Sequence, residues 1–240
     1  MKQLYLLCFT TAIFSVSCNG PFNKTIDGNG NITTENRSIN DAHKIECRGH
    51  FDVELTQGSS TSLKITGDEN LLPYIVTSNE NGKLVIKTKD NINLHSDNKI
   101  KIFITTDRLE KFGLAGSGDV AGTNKFTSNN EMEFSLAGTG NIKFEVNCPG
   151  VKSGIAGSGD IFLAGETKNA EINIAGSGNY HAQDLKTEIT KVDIAGTGDA
   201  TLFADKELNI NIAGVGNIYY TGNPTVNQKI AGSGKIKKMD

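Results

Sequence analysis

The sequence predicts an all-β fold, a single-stranded right-handed parallel β-helix with coils of about 18–22 residues, and three observations carry that expectation. A six-residue phrase recurs: LAGSGD from Leu114, LAGTGN from Leu136, IAGSGD from Ile155, IAGSGN from Ile174, IAGTGD from Ile194, IAGVGN from Ile212 and IAGSGK from Ile230. Its copies are 22, 19, 19, 20, 18 and 18 residues apart, a near-constant period that marks a repeat architecture. Period-two alternation runs into each copy, as in Leu208, Ile210 and Ile212, and often resumes after it, as in Ile142, Phe144 and Val146. Composition agrees: 27 Gly, 4 Pro and no Trp in 240 residues favour short strands and frequent turns over helices. The handedness follows by analogy with other β-helices and from no residue in particular.

Taken in order, the first element is an export signal. Lys2 precedes an apolar stretch from Leu4 to Phe14, then Ser15-Val16-Ser17-Cys18, and the apolar part is too short to span a bilayer. The small residues before Cys18 resemble a lipobox, which implies cleavage of residues 1–17 and a lipid on the Cys18 sulfur. The chain is then expected in a bacterial cell envelope, held by its lipid and facing either side of the outer membrane. Residues 18–40 lack a sustained apolar period and read as a flexible tether, about 25 Å long for a coil of about 20 residues.

The body is expected over 41–236 as one solenoid, with 41–112 as irregular first coils and 113–236 as the repeat array. The N-terminal part lacks the phrase but alternates in Phe51, Val53, Leu55 and in Ile100, Ile102, Ile104, with turns at Gln57-Gly58 and Asn81-Gly82. Within the array each unit reads as strand, glycine corner, strand and return turn. Such a unit buries its apolar face only by stacking on the next. Gly116, Gly118 and their equivalents are expected to supply positive φ at the corners, and the adjoining Ala column to keep that edge thin. Cys47 and Cys148, the cysteines of the body, read as buried thiols too far apart to bridge.

Several chemistries are weighed against plain structure. Lys plus Arg number 24 against 27 Asp plus Glu without a long run of either sign, so no footprint for nucleic acid exists. A calcium-stabilised β-roll-like module would use Asp119, Asp160 and Asp199, but the slot alternates with Asn141, Asn179 and Asn217, and one carboxylate per two coils is sparse for a cation needing six or more oxygens. A polar turn ladder in which Asn dilutes the repulsion between Asp residues is the preferred reading. A carbohydrate-active β-helix enzyme is the second alternative; Asp160, Glu166 and Asp184 are its nominal carboxylates, and His43, His50, His95 and His181 lack metal-ligand spacing. A binding module is the third, presenting Ser117, Thr139, Ser158, Ser177 and Thr197 as one hydroxyl row to a glycan or an envelope protein. Tyr180, Tyr219 and Tyr220 are read as packing residues.

The signal with its lipobox, the segment HFDVELTQG from His50, GDENLL from Gly67 and the AGSGD/N series together resemble the putative auto-transporter adhesin, head GIN domain family, over roughly 40–236. The resemblance implies a β-helical envelope protein of Bacteroidetes type, often a lipoprotein and labelled an adhesin, with no agreed catalytic residues; the residues themselves lead to an adhesive or scaffold function with no enzyme activity, metal or cofactor as the expectation. Val215 and Lys235 depart from the usual phrase, and the ligand and oligomeric state stay unassigned.

Overall fold

The computed structural model describes residues 24–239, so the signal, Cys18 and the first residues of the expected tether lie outside the described residues. Residues 24–37, read from the sequence as tether, instead form β1 (Lys24–Asp27) and β2 (Ile32–Arg37). They escape a periodicity argument because β2 is exposed on both faces, Ile32 included. Backbone pairing and one half-buried cation hold it. Arg37 donates to the carbonyls of Ile75 (2.5 Å) and Leu72 (2.9 Å) and to Thr77 Oγ1 (2.8 Å), closing the end of the sheet.

The N-terminal strands continue as β3 (Lys44–Gly49), β4 (Phe51–Gln57), β5 (Ser62–Asp68), β6 (Ile75–Glu80), β7 (Lys83–Thr88), β8 (Ile92–His95) and β9 (Ile100–Thr106). Pro73 lies in a 3-10 turn over Leu72–Tyr74. The expectation of a purely parallel stack fails here: β2 pairs antiparallel with β5, β5 with β9, and β6 with β7. Asn81 and Gly82 have φ of 55° and 74°, the two left-handed residues that a tight hairpin turn requires, and they fold β6 back on β7.

The array follows as β10 (Lys111–Gly116), β11 (Asp119–Thr127), β12 (Met132–Gly138), β13 (Asn141–Gly157), β14 (Asp160–Gly176), β15 (Tyr180–Ala182), β16 (Leu185–Gly196), β17 (Ala200–Phe203), β18 (Glu207–Gly214), β19 (Ile218–Thr221), β20 (Thr225–Gly232) and β21 (Ile236–Lys238). All its pairings are parallel, and each copy of the phrase lies in register on the one before, as Ile155↔Leu136 and Ile174↔Ile155. The all-β solenoid is therefore as expected. Its order is not wholly sequential, because β3 lies between β7 and β10, and β4 between β9 and β11.

That placement reveals a further copy of the corner. Cys47, Arg48 and Gly49 register on Leu114, Ala115 and Gly116, and Gly49 shares the positive φ of the series at 145°. His50 takes the Ser/Thr place, with its Nδ1 against Ser117 Oγ, and Asp52 accepts from the Asp119 N–H as the slot residue does elsewhere.

Inside, two columns run through the stack. Leu84, Ile45, Phe112, Phe134, Ser153, Ile172, Val192 and Ile210 form one, and Ile86, Cys47, Leu114, Leu136, Ile155, Ile174, Ile194 and Ile212 the other. Ser153 interrupts the apolar series because the buried Tyr180 hydroxyl reaches it at 3.1 Å. Tyr180 lies in register with the small Ala200, which leaves room for the ring. Tyr180 is thus a core residue, as expected, and Tyr220 packs against the core. At the far end Gln228 takes the place of Ile210 and Lys238 that of Tyr220, and polar groups at such positions discourage pairing along the exposed edge.

The corner rests on close approach. The first glycine of each phrase has positive φ, for instance 135° at Gly157 and 130° at Gly176, as expected. The second glycines lack it. Instead, a Cβ at Gly178 would overlap the carbonyl oxygen of Gly159, and the same holds through the series. Successive corners also bond: the Ser177 N–H donates to the Gly157 carbonyl at 2.8 Å and the Thr197 N–H to that of Gly176 at 2.9 Å. Gly178→Val should therefore cost more than about 2 kcal/mol, the upper range of overpacking, whereas Gly154→Ala, whose added methyl meets open space, should stay within about 0.5 kcal/mol. Chemical denaturation of both variants checks this; equal stability of the two would contradict the corner geometry.

Candidate functional site

Strands alternate, so the residues flanking each core Ile or Leu point outward. On one side of that column stand Ser135, Gly154, Asn173, Asp193, Asn211 and Lys229, and on the other Ala137, Ala156, Ala175, Ala195, Ala213 and Ala231. Together they line an open trough of about 830 Å³ that runs along the solenoid axis. Five inter-strand steps give it a length of about 24 Å. Its floor is a row of exposed methyl groups and its other flank carries small polar side chains.

The Ala floor is not required by stacking. In the same column the coils beneath carry Arg48, in register with Ala115, and Lys87, in register with Arg48. Long side chains thus fit there, pointing to solvent. The sequence expectation that Ala keeps this edge thin is corrected on that ground. Gly154 has a non-positive φ and open space where a Cβ would go, so its smallness also serves nothing inside the stack.

Charge along the trough is mostly cancelled. Lys191 lies 2.9 Å from Asp193 and 3.4 Å from Glu171, and Asn211 donates to Asp193 at 2.6 Å. Burial works against the Asp193 charge, but Lys191 and Asn211 outweigh it and hold its pKa below the ordinary carboxylate value. Lys229 forms no ion pair among the described residues.

Beyond the glycine corner lies the Asp/Asn slot. Asp160 accepts from Asn179 N–H (2.8 Å) and Nδ2 (3.1 Å), Asn179 Oδ1 accepts from Asp199 N–H (3.1 Å), and Asp199 accepts from Asn217 N–H (2.7 Å) and Nδ2 (2.9 Å). Asn141 likewise donates to Asp119 at 2.8 Å. Asp supplies acceptors and Asn both donor and acceptor, so alternation satisfies the ladder while separating the charges. Where two acids do adjoin, at Asp52 and Asp119, Lys99 bridges them at 3.0 and 3.6 Å. Asp119, Asp160 and Asp199 are thus two coils apart and committed to Asn partners. Among the described residues no three of His, Cys, Asp and Glu gather as a metal site.

The other candidates are dispersed. Asp160 belongs to the ladder, while Glu166 lies further along β14, in register with Lys186. His43 pairs with Asp107 (2.8 Å) and His95 with Asp27 (3.1 Å), while His181 stacks on Phe162 with ring centroids 4.5 Å apart. The hydroxyl row shows one internal link, Thr197 to Ser177 at 2.9 Å, and exposed Val215 occupies the same row. Cys47 and Cys148 are buried and unbridged. Burial, with the Glu46 charge, pushes the Cys47 thiol up to about 12. Neither cysteine should react with a thiol reagent at neutral pH before unfolding; rapid modification of the native protein would contradict this packing.

The comparisons with known proteins agree with this architecture. Residues 41–224 match the family model "Putative auto-transporter adhesin, head GIN domain", and the chain belongs to that family. Among solved structures, it is similar to a "putative adhesin" of Bacteroides fragilis (26% identity, TM-score 0.83, 89% of this chain and 100% of that one). It is also similar to a "putative lipid binding protein" of Parabacteroides distasonis (32%, 0.75, 90% and 100%). A "putative adhesin" of Parabacteroides merdae (24%, 0.71, 90% and 100%) shares the fold. No curated protein matches. The protein is accordingly an adhesin-like β-solenoid scaffold of this family.

Removing the bridge at the two adjoining acids should expose the like charges. Lys99→Gln should lower the melting temperature slightly at low salt and less at high salt, and Asp119→Asn added to it should restore stability. A salt-independent loss, or one that the second change leaves untouched, would contradict the charge-spacing account of the ladder.

Proposed function

We propose that the protein is a lipid-tethered contact head whose working surface is the Ala-floored trough. One observation carries this: a column that accommodates Arg48 and Lys87 in the first coils is held to alanine through the array, at the expense of solvation and to no gain in packing. The strip is small, and the reason for reading it as a binding face is that packing does not require its alanines. The lipid-binding name of the 32% identical Parabacteroides protein favours an apolar ligand over a sugar in the trough. A lipid on Cys18 would hold the body near the outer membrane, on a tether shortened by the residues that form β1 and β2. A right-handed coil accords with the usual sense of parallel crossovers.

A second reading places a glycan or envelope protein on the adjoining outward face. Phe162 stacks on His181 there beside Thr201, Gln183 and Asp184, a mixture of ring and hydrogen-bonding groups suited to a sugar.

Whole cells carrying the parent chain, Cys18→Ser or Ala175→Trp, compared for surface attachment and for envelope retention, test the proposal. Cys18→Ser should release the protein from the membrane fraction, and Ala175→Trp should keep it there but abolish attachment. Retention of the Cys18→Ser protein would refute the anchor, and undiminished attachment by Ala175→Trp cells would refute the trough as contact surface.

A further inference from the structure

The dimensions and chemistry of the trough select its occupant, on the reading that the trough is the working surface. Backbone donors and acceptors beneath it are already paired on both sides through β12, β13, β14, β16 and β18, so an added strand could pair only along the outer edge of β20 at one end of the trough and not along its length. No aromatic ring lines it, which removes the platform on which a sugar ring stacks. At a width of two strand residues, about 7 Å, and a length of about 24 Å, the strip offers roughly 170 Å², far below the roughly 800 Å² per partner of a stable protein interface. A second copy of this chain is therefore a poor fit.

What remains is a ligand that is long, thin and apolar. We propose that the trough binds one extended acyl chain of an anionic lipid, lying along the solenoid axis with its methylenes on the alanine floor and its headgroup at Lys229. The floor supplies a methyl group at every coil, with open space above Gly154 to widen the path. Charge sets the direction: Asp193 is neutralised by Lys191, whereas Lys229, at the end of the row, has no acidic partner among the described residues. A carboxylate or phosphate there meets a cation, while the tail points towards Ser135. Fatty acids and phospholipids share this chemistry.

Photocrosslinking tests the assignment on the full chain in isolated envelopes, with diazirine-labelled palmitate as probe and peptide mapping as readout. Labels are expected on peptides carrying Ala156, Ala175 and Ala195. Ala175→Trp should cut labelling by at least about tenfold, since several buried methylenes are lost. Ala195→Arg, which repeats in the array the side chain that Arg48 already places in this column, should do the same, and a melting curve of each confirms that the body remains folded. Lys229→Glu should weaken labelling by the acid several-fold and leave the methyl ester unchanged. A diazirine phosphatidic acid competing with palmitate at the same peptides would identify a phospholipid as the source, and failure to compete a free fatty acid; both keep the acyl site. Labelling that is absent, maps elsewhere or survives both bulky variants would overturn the acyl assignment. If Ala175→Trp still abolished cell attachment in that case, the trough would stand as contact surface with another ligand.

Discussion

The structure depends on how closely one glycine corner can sit on the next. At the corner a carbonyl oxygen of one coil occupies the space where the glycine above would carry its Cβ. The same carbonyls accept backbone N–H groups from the following Ser or Thr, so the approach is both steric and hydrogen-bonded. Within the array no side chain larger than hydrogen fits. Register follows from this, because slipping a strand by one residue would bring a side chain against a carbonyl and turn the apolar residues outward. The core columns of Ile, Leu and Phe can then vary in size, and Tyr180 beside Ala200 shows volume being exchanged between coils while the corner stays fixed.

Polar groups around the corner solve the problem that stacking creates. Identical coils place identical residues one above another, and identical charges repel. Alternation of Asp with Asn turns the repeated slot into a chain of donors and acceptors, and Lys99 serves where Asp52 and Asp119 break the alternation. On the outer faces opposite charges pair between coils, as in Lys111 with Glu133 at 2.6 Å and Lys206 with Glu188 at 2.7 Å. Exposed pairs of this kind add little stability each, and their role is to keep the stack free of like-charge columns. Against that background the alanine trough stands out as the place where the outer face is left apolar.

The array was legible in the sequence because close approach constrains residue identity, so a structural necessity became a visible phrase. The N-terminal coils were less so. Only Gly49 and Asp52 survive there from the phrase, with Phe51 in place of the second glycine, and the pairing of β3 with both β7 and β10 depends on contacts distant in sequence. The signal that could have found this copy was an apolar residue, a glycine two later and an Asp three beyond it. β1 and β2 gave no pattern because β2 has no buried face. Antiparallel pairing at that end was illegible because Asn81-Gly82 names a hairpin but not its place in the stack. For the candidate site, the alanines were visible and their meaning was not. Regular spacing alone does not separate a residue that packing demands from one that it merely permits; Arg48 and Lys87 in the same column made that distinction.

The central claim is that the alanine column serves a ligand and not the fold. Replacing Ala137, Ala156, Ala175, Ala195 and Ala213 together by serine changes the polarity of the floor with little change in volume. Thermal unfolding and lipid labelling of that one variant separate the two roles. The account predicts a melting temperature close to that of the parent with labelling lost; a large fall in melting temperature, or labelling retained on a serine floor, would contradict it.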